Sequence, residues 1–315
     1  MDKQSVTMQR LREAEQKPPR RLKSILAPYL FLLPALLLIG FWVYKPLVQT
    51  LQLATYDWSL VPGTTAEFVE LDNFSKLLRN AEFWPAVNNT IFYTVGMLPF
   101  SVIIPLFLAA ATQSIDPKAQ RIYRALFFIP MIMAPVSTAV IFRWLFNPGN
   151  GLINQTLLNL GLVDRGIAFF SDPNWARLII LFIAGWKMIG FATLMYSSAL
   201  TGINGEYYEA AKLDGASEIR QFFDITLPLL SPTTMLMIMI SVLFSSQWTF
   251  AYIDNLTMGG PFSTSTNIYY MMYRFAFAEM NVGLSAAAAA MFMVVFGVLA
   301  LILQYLNRKL AFYDN

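Results

Sequence analysis

The chain has 315 residues, 57% hydrophobic and only 13% charged, about half the charged fraction of a soluble domain, so its composition is that of an integral membrane protein. Cysteine and histidine are both absent, which excludes disulfides, Cys/His metal sites and catalysis through either side chain. A net charge of +3 is too small to suggest nucleic acid; lipid is the expected surrounding and no cofactor is expected.

Residues 1–24 form a polar tail carrying Lys3, Arg10, Arg12, Lys17, Arg20, Arg21 and Lys23. The uncharged run that follows, Ser24 to Tyr44, is too long for the apolar core of a cleaved signal, so it reads as a first membrane helix. Six stretches meet or approach the length needed to span a bilayer: Ile25 to Tyr44, Ala86 to Thr112, Ala125 to Phe146, Trp175 to Leu200, Thr233 to Ile253 and Gly283 to Leu306. They make one all-α membrane domain over residues 25–310, with a short tail at 311–315. Prolines 34, 99, 105, 130 and 135 fall inside the first three, where neighbouring helices can satisfy the carbonyls that kinks release. With the N-terminus inside, fourteen of the 22 Lys and Arg lie on inner segments and five on outer ones. The positive-inside rule then places both termini in the cytoplasm.

The connections differ in character. After the third span, Pro148, Gly149 and Gly151 mark turns before a short leucine-rich amphipathic piece. After the fifth, Gly259, Gly260 and Pro261 precede an aromatic-rich segment that reads equally as an interfacial belt. The inner connection 206–232, "EYYEAAKLDGASEIRQFFDITLPLLSP", stands apart. Asn204 can cap a helix with Glu206 and Glu209 in its first turns, and Gly215 can close it in the left-handed conformation. Ser217 can cap a second helix, with Ile219, Phe222, Phe223 and Leu227 at helical spacing until Pro228 and Pro232 end it. Each helix has about ten residues, too few to be stable alone in water. Either the hairpin docks a partner or it merely joins two spans.

The residues 209–216, "EAAKLDGA", followed by "FFDITLPLLSP" at 222–232, resemble the EAA loop of ATP-binding-cassette importer permeases. "FNPGNGLIN" at 146–154, Gly185–Trp186 and "LTMGGP" at 256–261 are similar to the carbohydrate-uptake branch, the maltose and glycerol-phosphate permease-like subunits. The resemblance implies a multi-pass permease of the bacterial cytoplasmic (inner) membrane with a cytoplasmic helix-turn-helix coupling loop. It further implies a homologous second permease, two copies of a cytosolic ATP-binding subunit and an extracytoplasmic solute-binding protein. Glu209, Ala210, Ala211, Asp214 and Gly215 are then the ATPase-coupling residues. The chain lacks a G-x-x-x-x-G-K-[ST] phosphate loop, so hydrolysis belongs to the partner and the chain is not expected to be an enzyme.

A solute path in lipid needs hydroxyls and aromatic faces on one side of a helix. Ser241, Phe244, Ser245 and Trp248 recur at i, i+3, i+4 and i+7, with Gln247 beside them and Tyr252 beyond. The same pattern serves helix–helix packing. By resemblance, the preceding helix adds Lys187, Met188 and Phe191. A lysine near a span's centre costs about 2.5–3.5 kcal/mol to insert, so Lys187 faces a cavity or partner, or else snorkels outward. The expected solute is a carbohydrate or related polyhydroxylated compound, anionic if Lys187 lines the path. The rival expectations are a non-transporting membrane scaffold that docks a cytosolic partner through 206–232, and an importer of a non-sugar solute.

Overall fold

The computed structural model describes residues 22–113 and 115–312, which are helical almost throughout. They divide into two units at Gln52/Leu53. The first holds helix α1, which runs from Leu22–Ile39 through a π turn at Gly40–Tyr44 into Lys45–Leu53. Every side chain from Tyr29 to Gln49 on it is exposed, the condition of a helix that lipid must cover.

The second unit opens with a small antiparallel ribbon, β1 (Tyr56–Asp57) against β2 (Glu67–Phe68), with Tyr56 opposite Phe68. Helix α2 (Asp72–Arg79) follows, then α3, the span Phe83–Gln113, which continues through Pro99 by way of a π turn. Next come α4 (Pro117–Ile132) and α5 (Pro135–Leu145), α6 (Leu152–Asn159), and α7 (Pro173–Thr201). The connection after α7 contains α8 (Gly205–Leu213) and α9 (Glu218–Gln221). Finally α10 (Ser231–Tyr252), the short helix α11 (Ile268–Tyr273) and α12 (Val282–Leu310) follow. The local signals are direct: Asp116, Asp172 and Asn281 each accept backbone N–H bonds at the start of α4, α7 and α12, and proline occupies the first turn of α4 and α7.

Among the described residues, five helices are long and apolar enough to cross a membrane, and a sixth crossing exists if the bent pair α4–α5 is one span. That pair corrects the expectation of a third span running unbroken from Ala125 to Phe146. The chain turns through 95° between Ile132 and Pro135, with Met133 and Ala134 both extended (ψ 134). Pro135 disfavours the helical conformation at Ala134 and can donate no N–H back into α4, so the helix stops where a kink was expected.

The core is organised on α7. Ile180, Ile183, Met188, Ala192 and Tyr196 pack with Tyr93 and Met97 of α3 and with Met237 and Tyr252 of α10. Two glycines let backbones approach. A Cβ on Gly190 would lie 2.0 Å from the Phe127 carbonyl oxygen of α4, and one on Gly185 would meet the Phe100 ring at 2.4 Å. Close small-residue contacts of this kind replace the hydrophobic effect as the source of helix association in lipid.

Candidate functional site

The break in the third span leaves the Met133 carbonyl without a helical partner, and α7 supplies one. The Lys187 ammonium donates to it at 2.6 Å. Lys187 is buried and sits midway along α7, opposite the break because Gly190, one turn on, brings α7 against Phe127. Around this contact lies a cavity of about 480 Å³ bordered by residues 131–135, by Lys187 and Met188 of α7, and by Gln247, Trp248, Ala251 and Tyr252 of α10. One wall is therefore bent backbone and the other two are helix faces with an ammonium, an amide, a phenol and an indole. Such a mixture can hydrogen-bond hydroxyls while stacking on the apolar face of a sugar-like ring.

Of the substrate-path residues expected from spacing or by resemblance, Lys187, Met188 and Trp248 border this cavity. The others do not. Ser245 shares a 2.8 Å hydrogen bond with Thr94 of α3. Ser241 is buried, its hydroxyl unpartnered among the described residues. Phe244 is 44% exposed, and Phe191 packs at the edge of the core cluster. The backbone at 131–135 and Ala251 carried no sequence signal for a cavity; Gln247 and Tyr252 had been placed only at the margin of the stripe.

The C-terminal end of α10 is stapled by buried asparagines. Asn267 donates to the Ser246 carbonyl at 3.0 Å and to Thr249 Oγ1 at 2.9 Å, and accepts from Tyr270 N–H. Asn89 of α3 donates to the carbonyls of Ser263 and Thr266, and Arg274 pairs with Glu82 and Glu279. Asn154 is buried and bonds both ends of the loop around α6, donating to the Asn147 and Ile167 carbonyls and accepting from Ile167 N–H.

At the opposite end of α7, Asn204 accepts from Glu206 N–H and Ser217 from Arg220 N–H, while Gly215 takes φ +76 between the two arms. The arms are tied by Tyr208 and Thr226 hydroxyls 2.9 Å apart and by Gln221 donating to the Ala216 carbonyl. Phe222 stacks on Phe107 of α3. Pro228 does not end the second arm: helical turns run from α9 through Phe222–Thr226 and Leu227–Leu229 to Leu230, where the chain bends into α10. The second arm thus leads into the helix that carries Gln247 and Trp248. No residue of α8 is buried. Glu209, Ala210, Asp214 and Gly215 are exposed and Ala211 half-buried, with Leu213 at 90% and Ile219 at 73% exposure beside them.

Residues 86–312 match the family described as the inner membrane component of binding-protein-dependent transport systems. The chain belongs to that family. It is 32% identical over 289 residues to the sn-glycerol-3-phosphate transport system permease protein UgpA of Pectobacterium atrosepticum, covering 91% of this chain and 96% of that one. UgpA of Escherichia coli strain UTI89 is 31% identical over 287 residues, covering 90% and 95%. Among solved structures, a chain of a bacterial ABC transporter involved in import of the acidic polysaccharide alginate superposes with a TM-score of 0.80 at 26% identity, over 91% of this chain and 96% of that one. A chain from the alginate transporter in complex with its alginate pentasaccharide-bound periplasmic protein gives 0.82 at 24% identity, over 94% and 100%, a likeness of fold. This membrane component is accordingly a permease subunit, and its fold is the all-α fold of ABC permeases.

Proposed function

We infer that this permease is one half of the membrane pathway of an ATP-driven importer for a carbohydrate or related polyhydroxylated solute. A solute-binding protein delivers the solute from outside. A homologous second permease completes the path, and two cytosolic ATP-binding subunits act on the hairpins. Both termini then lie in the cytoplasm with residues 206–232. The names of the relatives, which handle a glycerol phosphate and an acidic polysaccharide, support the polyhydroxylated class.

One observation carries the reading: an exposed hairpin, in which no residue of α8 is buried among the described residues, leads through helical turns and a bend at Leu230 into the helix that borders the cavity. Two short helices presenting Leu213 and Ile219 to solvent need a docked partner. Glu209 and Asp214 offer that partner carboxylates to pair with a basic residue, and Gly215 leaves open space for close approach. When the partners close, the hairpin transmits the displacement through residues 222–230 to α10. Such coupling requires that solute bind the outward and inward states with different affinity.

The test is reconstitution of the full complex in liposomes with its binding protein. Glu209→Arg or Gly215→Trp is expected to leave the subunit inserted while abolishing solute-stimulated ATP hydrolysis. Full stimulation in both variants would remove the hairpin from coupling, and the absence of any solute-stimulated hydrolysis in the parent complex would remove the importer reading itself.

A further inference from the structure

We propose that the cavity at the broken span is a recognition site for an anionic group of the solute, a carboxylate or phosphate, and that Lys187 is its counter-charge. The proposal rests on the importer reading and adds the charge of what is carried. Lys187 is buried, yet among the described residues no carboxylate borders the cavity and none of the ion pairs includes it. Its hydrogen bond goes to the neutral Met133 carbonyl. An ammonium has three N–H donors, so this bond leaves two for the cavity.

Holding an orphaned carbonyl does not require a charge, since an amide of similar reach would do so at far lower desolvation cost. The positive charge finds its use only when an anion enters. In a space walled by Met188, Trp248 and backbone, water screens the charge poorly, and attraction to an oxyanion is several-fold stronger than at the surface. The Gln247 amide on the facing helix can supply a further donor, Tyr252 a hydroxyl, and Trp248 a flat apolar face. A single anionic group joined to a hydroxylated carbon frame satisfies all four.

The absence of cysteine from the chain allows a direct measurement. Ala251, which borders the cavity, is replaced (Ala251→Cys) in the assembled complex. Its modification by anionic 2-sulfonatoethyl and by cationic 2-(trimethylammonium)ethyl methanethiosulfonate is then compared with the complex lacking that cysteine. The anionic-to-cationic rate ratio, normalised to a free thiol, is expected to exceed one and to fall at least about tenfold with Lys187→Gln while Lys187→Arg retains it. Glucuronate or glycerol 3-phosphate should slow the modification where glucose and glycerol do not, the more protective of the two telling carboxylate from phosphate. A parent ratio at or below one overturns the proposal without needing any Lys187 variant to fold. Equal protection by charged and neutral twins, no protection by either anion, or a ratio unchanged in Lys187→Gln also overturns it, the last leaving Lys187 as a tie to Met133. None of these readouts uses ATP hydrolysis, so failure here and failure of the importer reading are distinguishable.

Discussion

Gly190→Ala sets two opposing effects against each other. In a helix, alanine is favoured over glycine by about 1 kcal/mol, so helix propensity alone predicts a more stable protein. The new methyl, however, would lie 2.0 Å from the Phe127 carbonyl oxygen and 2.9 Å from its carbon, whereas a carbon and a carbonyl oxygen settle at about 3.3–3.6 Å. Relief requires α4 and α7 to part by roughly 1.3 Å. Lys187, one turn away on α7, now reaches the Met133 carbonyl at 2.6 Å; the same separation takes that contact beyond hydrogen-bonding range. Overpacking costs about 1–3 kcal/mol and loss of a charged hydrogen bond about 1.5–3 kcal/mol. The net expectation is a loss of about 1.5–5 kcal/mol and a fall of several degrees in the unfolding temperature. Gly297→Ala is the matched control, because nothing lies within 4 Å of the Cβ it would carry on α12; it should be neutral or stabilising by up to about 1 kcal/mol. Tryptophan-monitored unfolding of the purified complex at one scan rate compares the two. A Gly190→Ala complex that melts at or above the parent, with unchanged uptake, would refute the argument that this contact positions Lys187.

Other expectations concern single residues. Trp248→Ala should impair uptake while the complex still assembles, whereas Phe244→Ala, on an exposed face of the same helix, should leave uptake kinetics within twofold; the reverse order would relocate the site. Asn154→Ala removes bonds to both Asn147 and Ile167 and leaves part-buried backbone groups without them, at about 1–3 kcal/mol; faster proteolytic cleavage within 147–172 is the readout. Lys76 is held above its ordinary pKa by Asp72 at 3.0 Å and Asp57 at 3.3 Å. Its contribution is therefore complete below the unfolded value of 10.5 and is lost as pH rises through the raised folded value. Amide exchange in the β1–β2 ribbon should quicken over that alkaline window, and less so in Lys76→Met.

What the sequence disclosed depended on how local the physics is. Capping is settled within a few residues, so the sequence alone assigns Asn204, Ser217 and Gly215 their places in the hairpin, and the apolar run lengths locate the spans. Proline 135 announced an interruption, but the direction and size of the turn depend on what packs on either side of it. The 95° bend was therefore not legible, and neither was the cavity it opens. Helical spacing puts Ser241, Phe244, Ser245 and Trp248 on one broad face of α10, yet a face about 100° wide meets several neighbours. Ser245 meets Thr94, Trp248 the cavity and Phe244 the exterior. Lys187 was conspicuous from its cost in an apolar span, while its partner is a main-chain atom that leaves no trace in residue identity.

That last point bears on how such a permease changes its preferences during divergence. Where Met133 meets the cavity it presents a peptide carbonyl, and a point substitution there alters the side chain but not the oxygen. On the recognition site proposed above, discrimination between solutes is instead rewritten on the facing helices, at positions such as 187, 247 and 248. The backbone wall would act as a constant against which a few exchangeable side chains tune the same scaffold to different cargoes.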